Sequence, residues 1–236
     1  MTERLYLRQL LAGRDFAQDD PIASQMVNFV YLIGDRETRE CVVVDPAWAV
    51  QDLIDIAAAD DMKLTAALAT HYHPDHVGGD LMGAAMVEGI RELLEKTELK
   101  IHCQKNEVEW ILRCTGVSKS DLVASESGET LQVGAVPIKL LHTPGHTPGS
   151  QCFLVENRLI AGDTLFLEGC GRTDFPGGDR EEMYRTIHRR LAQLPDDTIL
   201  YPGHRYSPAE SASLGQVRAS NYVFQVGSLE EWLKFL

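Results

Sequence analysis

Cysteine is scarce and scattered in this 236-residue chain. Its number is odd and no Cys-x-x-Cys pair occurs among the five: Cys41, Cys103, Cys114, Cys152 and Cys170. Disulfide frameworks use paired cysteines, and thiolate zinc sites use closely spaced ones. The cysteine pattern therefore argues against both kinds of site, and it is typical of a protein from a reducing compartment.

Positive charge and long apolar runs are also lacking. The chain has 22 Lys and Arg against 35 Asp and Glu, which gives a formal net charge of −13. Such a charge repels nucleic acids and anionic membrane surfaces. The longest apolar run, near Met26–Ile33, is too short to cross a bilayer, and Arg4 and Arg8 interrupt the apolar core that a signal peptide needs. We therefore expect a cytoplasmic protein that binds neither nucleic acid nor membranes.

Strand and helix patterns alternate in both halves of the chain. Apolar runs bounded by Gly, Pro and polar residues predict strands over Val27–Gly34, Glu40–Asp45, Leu64–Thr70, Leu131–Val133, Val136–Leu141, Gln151–Val155, Arg158–Ala161 and Thr198–Tyr201. Helices are expected over Ala49–Asp61, Asp80–Lys96, Gln104–Cys114 and from Asp179 to about Leu194. This order favours layered α/β sheets covered by helices. Because no linker separates them, we expect one domain, 1–236, made of two fused halves at approximately 1–115 and 116–236.

One short segment concentrates residues that bind metal ions. Thr70-His-Tyr-His-Pro-Asp-His-Val-Gly-Gly79 holds three of the eight histidines and one carboxylate, namely His71, His73, His76 and Asp75. The segment follows a predicted strand, and strand ends are a frequent place for ligands in α/β folds. Zinc, iron and manganese accept imidazole and carboxylate ligands. The spacing therefore predicts a metal-binding loop rather than a His-rich surface loop.

Three later positions repeat the arrangement of a ligand at a strand end. His146 lies between paired Pro-Gly turns, Asp163 follows the strand Arg158–Ala161, and His204 follows the last predicted strand. Each position alone is a weak signal, but together they give four strand-to-loop sources of ligands, as a preorganised site requires. The number of histidines and carboxylates exceeds what one tetrahedral ion binds, and it suits two ions bridged by a carboxylate.

These segments, in this order, resemble the metallo-β-lactamase superfamily: Thr-His-x-His-x-Asp-His-x-Gly-Gly, Thr-Pro-Gly-His-Thr, Gly-Asp-Thr-Leu-Phe and Pro-Gly-His, within residues 70–206. The resemblance implies a four-layer αβ/βα sandwich, in which two facing mixed β-sheets are flanked by helices. It also implies two divalent metal ions, with zinc the expected metal. By motif position, the first ion is bound by His71, His73 and His146. The second is bound by Asp75, His76 and His204, and Asp163 bridges the two.

A further segment, Gly169-Cys-Gly-Arg-Thr-Asp-Phe175, points to two branches of that superfamily. It is similar to the glyoxalase II thioesterases, which are hydroxyacylglutathione hydrolases, and to the persulfide dioxygenases. Arg172-Thr-Asp-Phe is the dioxygenase form of the segment. In that branch one iron, bound by two histidines and one carboxylate, oxidises glutathione persulfide. Carried over to this chain, the iron ligands are His71, His146 and Asp163.

Three function classes stay open, and we favour hydrolysis of a thioester or a related carbonyl substrate. Zinc ions lower the pKa of bound water to roughly 7, so that water attacks at neutral pH. Asp75 is then both a metal ligand and a proton acceptor. Arg172 is expected to orient an anionic small-molecule thioester, with a surface ion pair as the alternative. The other classes are the iron-dependent dioxygenase and a non-catalytic metal-binding protein. Formation of a homo-oligomer is left open.

Overall fold

Two six-stranded sheets form the framework of the protein. The computed structural model describes residues 4–235, so the ends of the predicted domain, 1 and 236, lie outside the described residues. The strands are β1 (Leu5–Leu11), β2 (Phe29–Asp35), β3 (Glu40–Val44), β4 (Lys63–Leu68), β5 (Gly79–Asp80), β6 (Met86–Val87), β7 (Lys100–Gln104), β8 (Leu122–Ser125), β9 (Thr130–Val133), β10 (Val136–His142), β11 (Gln151–Val155), β12 (Arg158–Gly162), β13 (Ile199–Pro202) and β14 (Ala212–Ser213).

The helices are short and lie between or after these strands. They are α1 (Pro21–Met26), α2 (Val50–Ala59), α3 (Pro74–Val77), α4 (Ile90–Lys96), α5 (Val108–Thr115), α6 (Arg180–Arg185), α7 (Leu214–Ser220) and α8 (Leu229–Phe235). Helix α6 continues through a π-helical turn, Thr186–Arg190, and a 3-10 turn, Leu191–Gln193. Within residues 4–235, none of the helices combines the length and the hydrophobicity that a membrane crossing needs.

Both sheets are mixed. The first has the order β1-β2-β3-β4-β7-β8, and β3, β4, β7 and β8 run parallel to one another. The second has the order β14-β13-β12-β11-β10-β9, and only β12 and β13 pair in parallel within it. The chain passes from the first sheet to the second between Ser125 and Thr130. The division into one domain with halves near residue 115 stays a prediction.

The core shows why the sheets face each other. All seven residues of β2 are buried, and its side chains alternate between two apolar clusters. Phe29 and Tyr31 pack with Phe153 of the second sheet, whereas Val30 and Leu32 pack in the cluster that includes α2, α4 and α5. Because successive side chains of a strand point to opposite faces, a strand covered on both sides must be apolar throughout. Helices α6, α7 and α8 cover the second sheet, which confirms the predicted αβ/βα sandwich.

The predicted helix over Asp80–Lys96 is wrong in its first half. Strands β5 and β6 form a small hairpin there, and the helix begins only at Ile90. The Asp80 carboxylate accepts the Gly83 N–H at 2.7 Å, and Met82 adopts a left-handed conformation, so the turn competes with the helix. Glu92 then caps the new helix by accepting the N–H of Gly89 at 2.8 Å.

Candidate metal centre

All seven predicted ligands lie where strands end, at one edge of the sandwich. His71 and His73 follow β4, and helix α3 carries Asp75 and His76. His146 lies in the loop between β10 and β11, whereas Asp163 follows β12 and His204 follows β13. Both sheets therefore contribute, and the structure brings together every residue that the sequence singled out for metal binding.

The turn into α3 is determined by its local sequence. His73 has an extended backbone, with φ −63° and ψ 144°, and Pro74 occupies the first turn of the helix. Proline disfavours a helical conformation in the residue before it and fits the start of a helix. The helix ends at Gly78, with φ +88°, where a Cβ atom would come within 2.7 Å of the Gly89 backbone. This short turn places Asp75 and His76 beside the two preceding histidines.

Three imidazoles form the first ligand set. The Nδ1 atom of His73 lies 3.1 Å from Nε2 of His71 and 3.0 Å from Nε2 of His146. The rings of His71 and His146 are buried, and the three ring centroids are 4.6 to 4.8 Å apart. Three ring nitrogens thus converge on one point, as the ligands of a tetrahedral ion do.

The second set consists of Asp75, His76 and His204. The Oδ2 atom of Asp75 lies 3.4 Å from Nε2 of His76 and 3.3 Å from Nε2 of His204. The two Nε2 atoms are 3.2 Å apart. All three residues are buried, so the carboxylate and the two rings face one another away from water.

Asp163 lies between the two sets. Its Oδ2 atom is 3.8 Å from Nε2 of His146 and 3.4 Å from Nε2 of His204, and its Oδ1 atom is 3.4 Å from Nε2 of His76. Among the described residues, buried Oδ1 has no hydrogen-bond donor. A buried carboxylate oxygen without a donor is costly unless a cation lies beside it. Asp163 would therefore be the carboxylate shared by ions held in the two sets.

The outer nitrogens of four histidines fix the direction of the inner ones. Nδ1 of His71 contacts Thr70 Oγ1 at 3.0 Å, and Nδ1 of His76 contacts Asp45 Oδ2 at 2.9 Å. Nδ1 of His146 contacts the Arg172 carbonyl at 2.6 Å, and Nδ1 of His204 contacts the Met26 carbonyl at 2.8 Å. Because these partners accept a hydrogen bond, each Nδ1 carries the proton and each Nε2 turns a lone pair inward. Neighbouring lone pairs repel unless a cation lies between them, so the cluster fits metal ions.

The electrostatics of the two ligand sets differ. Burial and the neighbouring rings lower the pKa of His71 well below its ordinary value, and burial together with His146 lowers the pKa of His73 to about 3. Burial also lowers the pKa of His76, but the Asp75 and Asp163 carboxylates outweigh it and hold that pKa well above its ordinary value. These carboxylates therefore stabilise a cation in the second set.

Two polar residues that the sequence did not single out hold the ligands in place. Asp45 directly follows β3 in a left-handed conformation, with φ 55°, and it accepts both the N–H and the hydroxyl of Thr70, at 2.7 and 2.6 Å. Asn28 donates to Asp75 at 3.0 Å and accepts from the Trp48 indole at 3.1 Å. The one available signal for Asp45 was its position after a buried strand run.

Glu107 is the third residue that the sequence missed. It is fully buried, and its carboxylate accepts three hydrogen bonds, from the Tyr72 N–H (2.8 Å), the Thr147 hydroxyl (2.7 Å) and the Gly149 N–H (2.7 Å). These donors adjoin ligands in two different loops. Burial raises the pKa of Glu107 to about 7, although the three donors lower it. A single carboxylate therefore ties the His71–His73 loop to the His146 loop.

A cavity of about 770 Å³ opens onto the ligands, and Asp75 and Arg172 both line it. The guanidinium of Arg172 is exposed, pairs with Asp174 at 2.6 Å, and lies 4.5 Å above the centre of the Phe175 ring. The expected alternative, a surface ion pair, is thus present. The role of Arg172 in orienting a substrate stays a prediction, as does the proton-accepting role of Asp75.

The fold and the donor set together define a class of protein: αβ/βα sandwiches with a His/Asp cluster at the sheet edge that can bind metal ions. The sequence comparison agrees. The chain belongs to the metallo-beta-lactamase superfamily, whose family description matches residues 25–204.

The relatives come from several branches of that superfamily. The "Probable polyketide biosynthesis zinc-dependent hydrolase BaeB" of Bacillus velezensis is 31% identical over 88% of this chain and 86% of its own. The human "Persulfide dioxygenase ETHE1, mitochondrial" is 30% identical over 88% of this chain and 75% of its own. A "Probable hydroxyacylglutathione hydrolase" of Schizosaccharomyces pombe is 34% identical over 76% of this chain and 64% of its own. The resemblance to the glyoxalase II and persulfide dioxygenase branches is confirmed.

A solved structure confirms the fold over almost the whole chain. The crystal structure of ETHE1 from Myxococcus xanthus superposes with a TM-score of 0.76 at 31% identity, covering 97% of this chain and 88% of that one. The names of these relatives indicate an enzyme of the metallo-beta-lactamase fold, with zinc in one branch of relatives.

Proposed function

We propose that this protein is a hydrolase that uses two zinc ions to cleave a small-molecule thioester or a related carbonyl compound. One observation carries the proposal: seven side chains from four chain segments form two complete ligand sets, and Asp163 lies between them. Two ions bridged by a carboxylate are the arrangement that hydrolases use to hold water and the reacting oxygen together. A non-catalytic metal site has no need for the cavity above it.

When bound, the ions supply Lewis-acid stabilisation of the carbonyl oxygen and lower the pKa of water. His71, His73 and His146 would hold one, and Asp75, His76 and His204 the other. In the reaction, the water oxygen forms a bond to the carbonyl carbon, and the carbon–sulfur bond breaks. The thiolate leaves with the electron pair and takes a proton, so that the products are a carboxylic acid and a thiol.

Asp75 is the residue placed to take the proton from water. It lines the cavity, and its Oδ2 atom faces His76 and His204. Burial raises the pKa of Asp75, but the charges and hydrogen bonds of these two rings outweigh it and hold that pKa well below its ordinary value. The carboxylate is therefore ionised at neutral pH, which a proton acceptor requires.

The few cations of the cavity support a small substrate with a single anionic group and not a polymer. Two arginines, Arg113 and Arg172, line the cavity and would face such a group. The formal net charge of −13 disfavours nucleic acids and anionic membranes. The odd, scattered cysteines, typical of a reducing compartment, support the proposal that the protein works in the cytoplasm on a diffusible compound.

A persulfide dioxygenase is the second candidate, because two of the relatives described above carry the ETHE1 name. In this case one iron would be held by His71, His146 and Asp163. The Arg172 carbonyl accepts from His146, and the Phe175 ring centroid lies 6.4 Å from that of His146, so the dioxygenase-like segment adjoins this ligand set. The same seven side chains serve either reaction.

Metal content and oxygen uptake separate the two candidates. We expect protein purified without added metal to contain about two zinc ions per chain, to release thiol from S-lactoylglutathione or from an acyl thioester of N-acetylcysteamine, and to consume no oxygen with glutathione persulfide. Elemental analysis, a colorimetric thiol assay and an oxygen electrode measure the three quantities. One iron per chain together with oxygen uptake on the persulfide would overturn the hydrolase proposal.

A further inference from the structure

Aromatic side chains surround the candidate metal centre on the cavity side. Tyr72 stacks on Trp110 with ring centroids 5.0 Å apart, and the Phe175 ring contacts His73 of the first ligand set. The Tyr206 ring stacks on His204 of the second set with centroids 4.8 Å apart. Each ligand set therefore has an aromatic surface beside it, and both surfaces face the same cavity.

Several apolar side chains that line the cavity are exposed to water and mark its mouth. Six large apolar residues are exposed among the described residues, and three of them line this cavity: Met82, Tyr206 and Tyr222, at 82%, 55% and 44% exposure. Exposed apolar groups gathered at a cleft mark a place where an apolar ligand binds. Such a lining favours the binding of a hydrocarbon group, because both apolar surfaces leave water, and it does not favour a polar peptide in the same way.

The charges of the lining do not favour a peptide thiol such as glutathione. Apart from the candidate metal ligands, the cavity has two cations, Arg113 and Arg172, and two acidic residues, Asp80 and Glu168. Arg172 is itself paired with Asp174 outside this set. Glutathione has two carboxylates and one ammonium group, and a pocket specific for it needs more unpaired cations than these residues offer.

We infer that the cavity selects thioesters with a medium-length or aromatic apolar acyl group over glutathione thioesters. The inference rests on the proposed hydrolase function for its catalytic test. The acyl group lies against the aromatic side chains beside the metal centre, and its far end reaches Met82 at the mouth. The carbonyl carbon is then held at the ligand sets, where water attacks it as described above.

The catalytic test uses thioesters that differ only in the acyl chain. With acetyl, butyryl, hexanoyl and octanoyl thioesters of N-acetylcysteamine, we expect kcat/KM to rise about two- to fourfold for each added methylene, because each methylene leaves water. The octanoyl thioester should also exceed S-lactoylglutathione. Equal values along the series, or a higher value for S-lactoylglutathione, would overturn the inference while leaving thioester hydrolysis in place.

Two methionines of one hairpin give a matched pair of variants. Met82 lines the cavity, whereas Met86 is also exposed, at 68%, but lies outside it. Met82→Gln should lower kcat/KM for the octanoyl thioester more than for the acetyl thioester and so flatten the dependence on chain length, whereas Met86→Gln should not alter this dependence. Trp110→Ser should flatten the dependence further. A chain-length dependence that survives both Met82→Gln and Trp110→Ser would contradict the assignment of the acyl site.

A binding measurement keeps the inference testable if no thioester is hydrolysed. Isothermal titration calorimetry with butyrate, hexanoate and octanoate uses the same carboxylate throughout, so that any direct interaction with the metal centre is constant. We expect affinity to rise with chain length and the heat capacity change to be negative, because apolar surface is buried. Flat affinities would refute the apolar site, whereas a rising series without hydrolysis of any thioester would refute only the proposed reaction.

Discussion

Single residues decide what the candidate metal centre can bind. In four of its histidines, an oxygen acceptor fixes Nδ1 and leaves Nε2 to the cluster, whereas His73 turns Nδ1 inward. The rings are therefore oriented before any ion arrives, and little ordering remains to oppose binding. This arrangement makes the loss of one ring a sharp test of the site.

Replacing His71 is expected to remove turnover. His71 belongs to two of the groups that can hold an ion, the one with His73 and His146 and the one with His76 and Asp163. We expect His71→Ala to lower kcat/KM for a thioester at least about a hundredfold and to lower the metal content, because the ligand set is broken. His102→Ala, a half-buried histidine on β7 outside the cluster, is the control. Unchanged turnover in His71→Ala with an unchanged circular dichroism spectrum would contradict the site.

The seven ligands were predictable because their residue types and spacing form a pattern. The polar residues that hold these ligands in place form no such pattern. Asp45, Asn28 and Glu107 are single polar residues whose neighbours in sequence are ordinary. Asp45 reaches His76 only because β3 pairs with β4, and Glu107 reaches Gly149 only because the loop between β10 and β11 lies against the start of helix α5. Contacts of this kind follow from tertiary structure, which a local pattern does not contain.

Among the structural elements, the start of helix α5 has an unexpected influence on the metal centre. Glu107 stands just before this helix and joins the two ligand loops. We expect Glu107→Gln to weaken metal binding about tenfold or more, because an amide nitrogen then faces an N–H or a hydroxyl that needs an acceptor. Competition with a chromophoric chelator measures the affinity.

The same helix offers a matched control for that change. Glu109 is exposed on the first turn of α5, so Glu109→Gln should leave the metal affinity unaltered. An equal affinity in both variants would show that Glu107 supports the fold only. Its effect would then appear in the free energy of unfolding and not in the chelator titration.

The elements themselves were predictable where apolar runs are continuous. Strands β2, β3, β11 and β12 have such runs and were expected close to their observed limits. Strand β1 includes Arg8 and Gln9, and its pattern of polar and apolar residues does not alternate cleanly, so it was not predicted. The hairpin of β5 and β6 has only two residues in each strand, too few to form a pattern.

At the scale of the whole molecule, Asp35 joins the two sheets. It ends β2 of the first sheet, and its Oδ2 atom accepts the Ala135 N–H from the turn between β9 and β10 of the second, at 2.8 Å. Its Oδ1 atom accepts the Glu37 N–H at 2.9 Å, and Oδ2 also accepts from Arg4 at 3.0 Å. Burial raises the pKa of Asp35, but the Ala135 N–H, Arg4 and the Glu37 N–H outweigh it and lower that pKa to about 2.

We expect Asp35→Ala to lower the free energy of unfolding by about 1–3 kcal/mol at pH 7, because two backbone donors lose their acceptor. A carboxyl whose pKa falls on folding contributes its full stability above its ordinary pKa of 3.8 and loses it as the pH falls through about 2. Urea denaturation should therefore show a constant difference from wild type between neutral pH and about pH 5, narrowing below pH 4.

An exposed pair provides the comparison for this prediction. Asp61 pairs with Arg39, and both side chains are largely exposed. Asp61→Asn should change the stability by less than about 1 kcal/mol at every pH, because asparagine tolerates the left-handed backbone of this position, with φ 59°. A difference between wild type and Asp35→Ala that widens as the pH falls would contradict the role of the ionised carboxylate.

The overall architecture was predictable mainly from the resemblance of the ordered motifs. The alternation of strands and helices indicated layered sheets, but periodicity alone did not say that two sheets face each other. That arrangement depends on side chains such as Tyr31 and Phe153, which lie more than a hundred positions apart in the sequence and meet between the sheets. Only the finished fold shows which face of each strand is turned inward.

The contacts of His204 bear on how the protein is made. Its ring nitrogen bonds to Met26, and the backbone on either side of it pairs with residues at the start of β2, through Phe29 to Gly203 (2.7 Å) and Arg205 to Val27 (3.0 Å). A ribosome delivers the N-terminal partner first and the C-terminal partner nearly two hundred residues later. The second ligand set, Asp75, His76 and His204, therefore cannot form in a growing chain until His204 has left the ribosome.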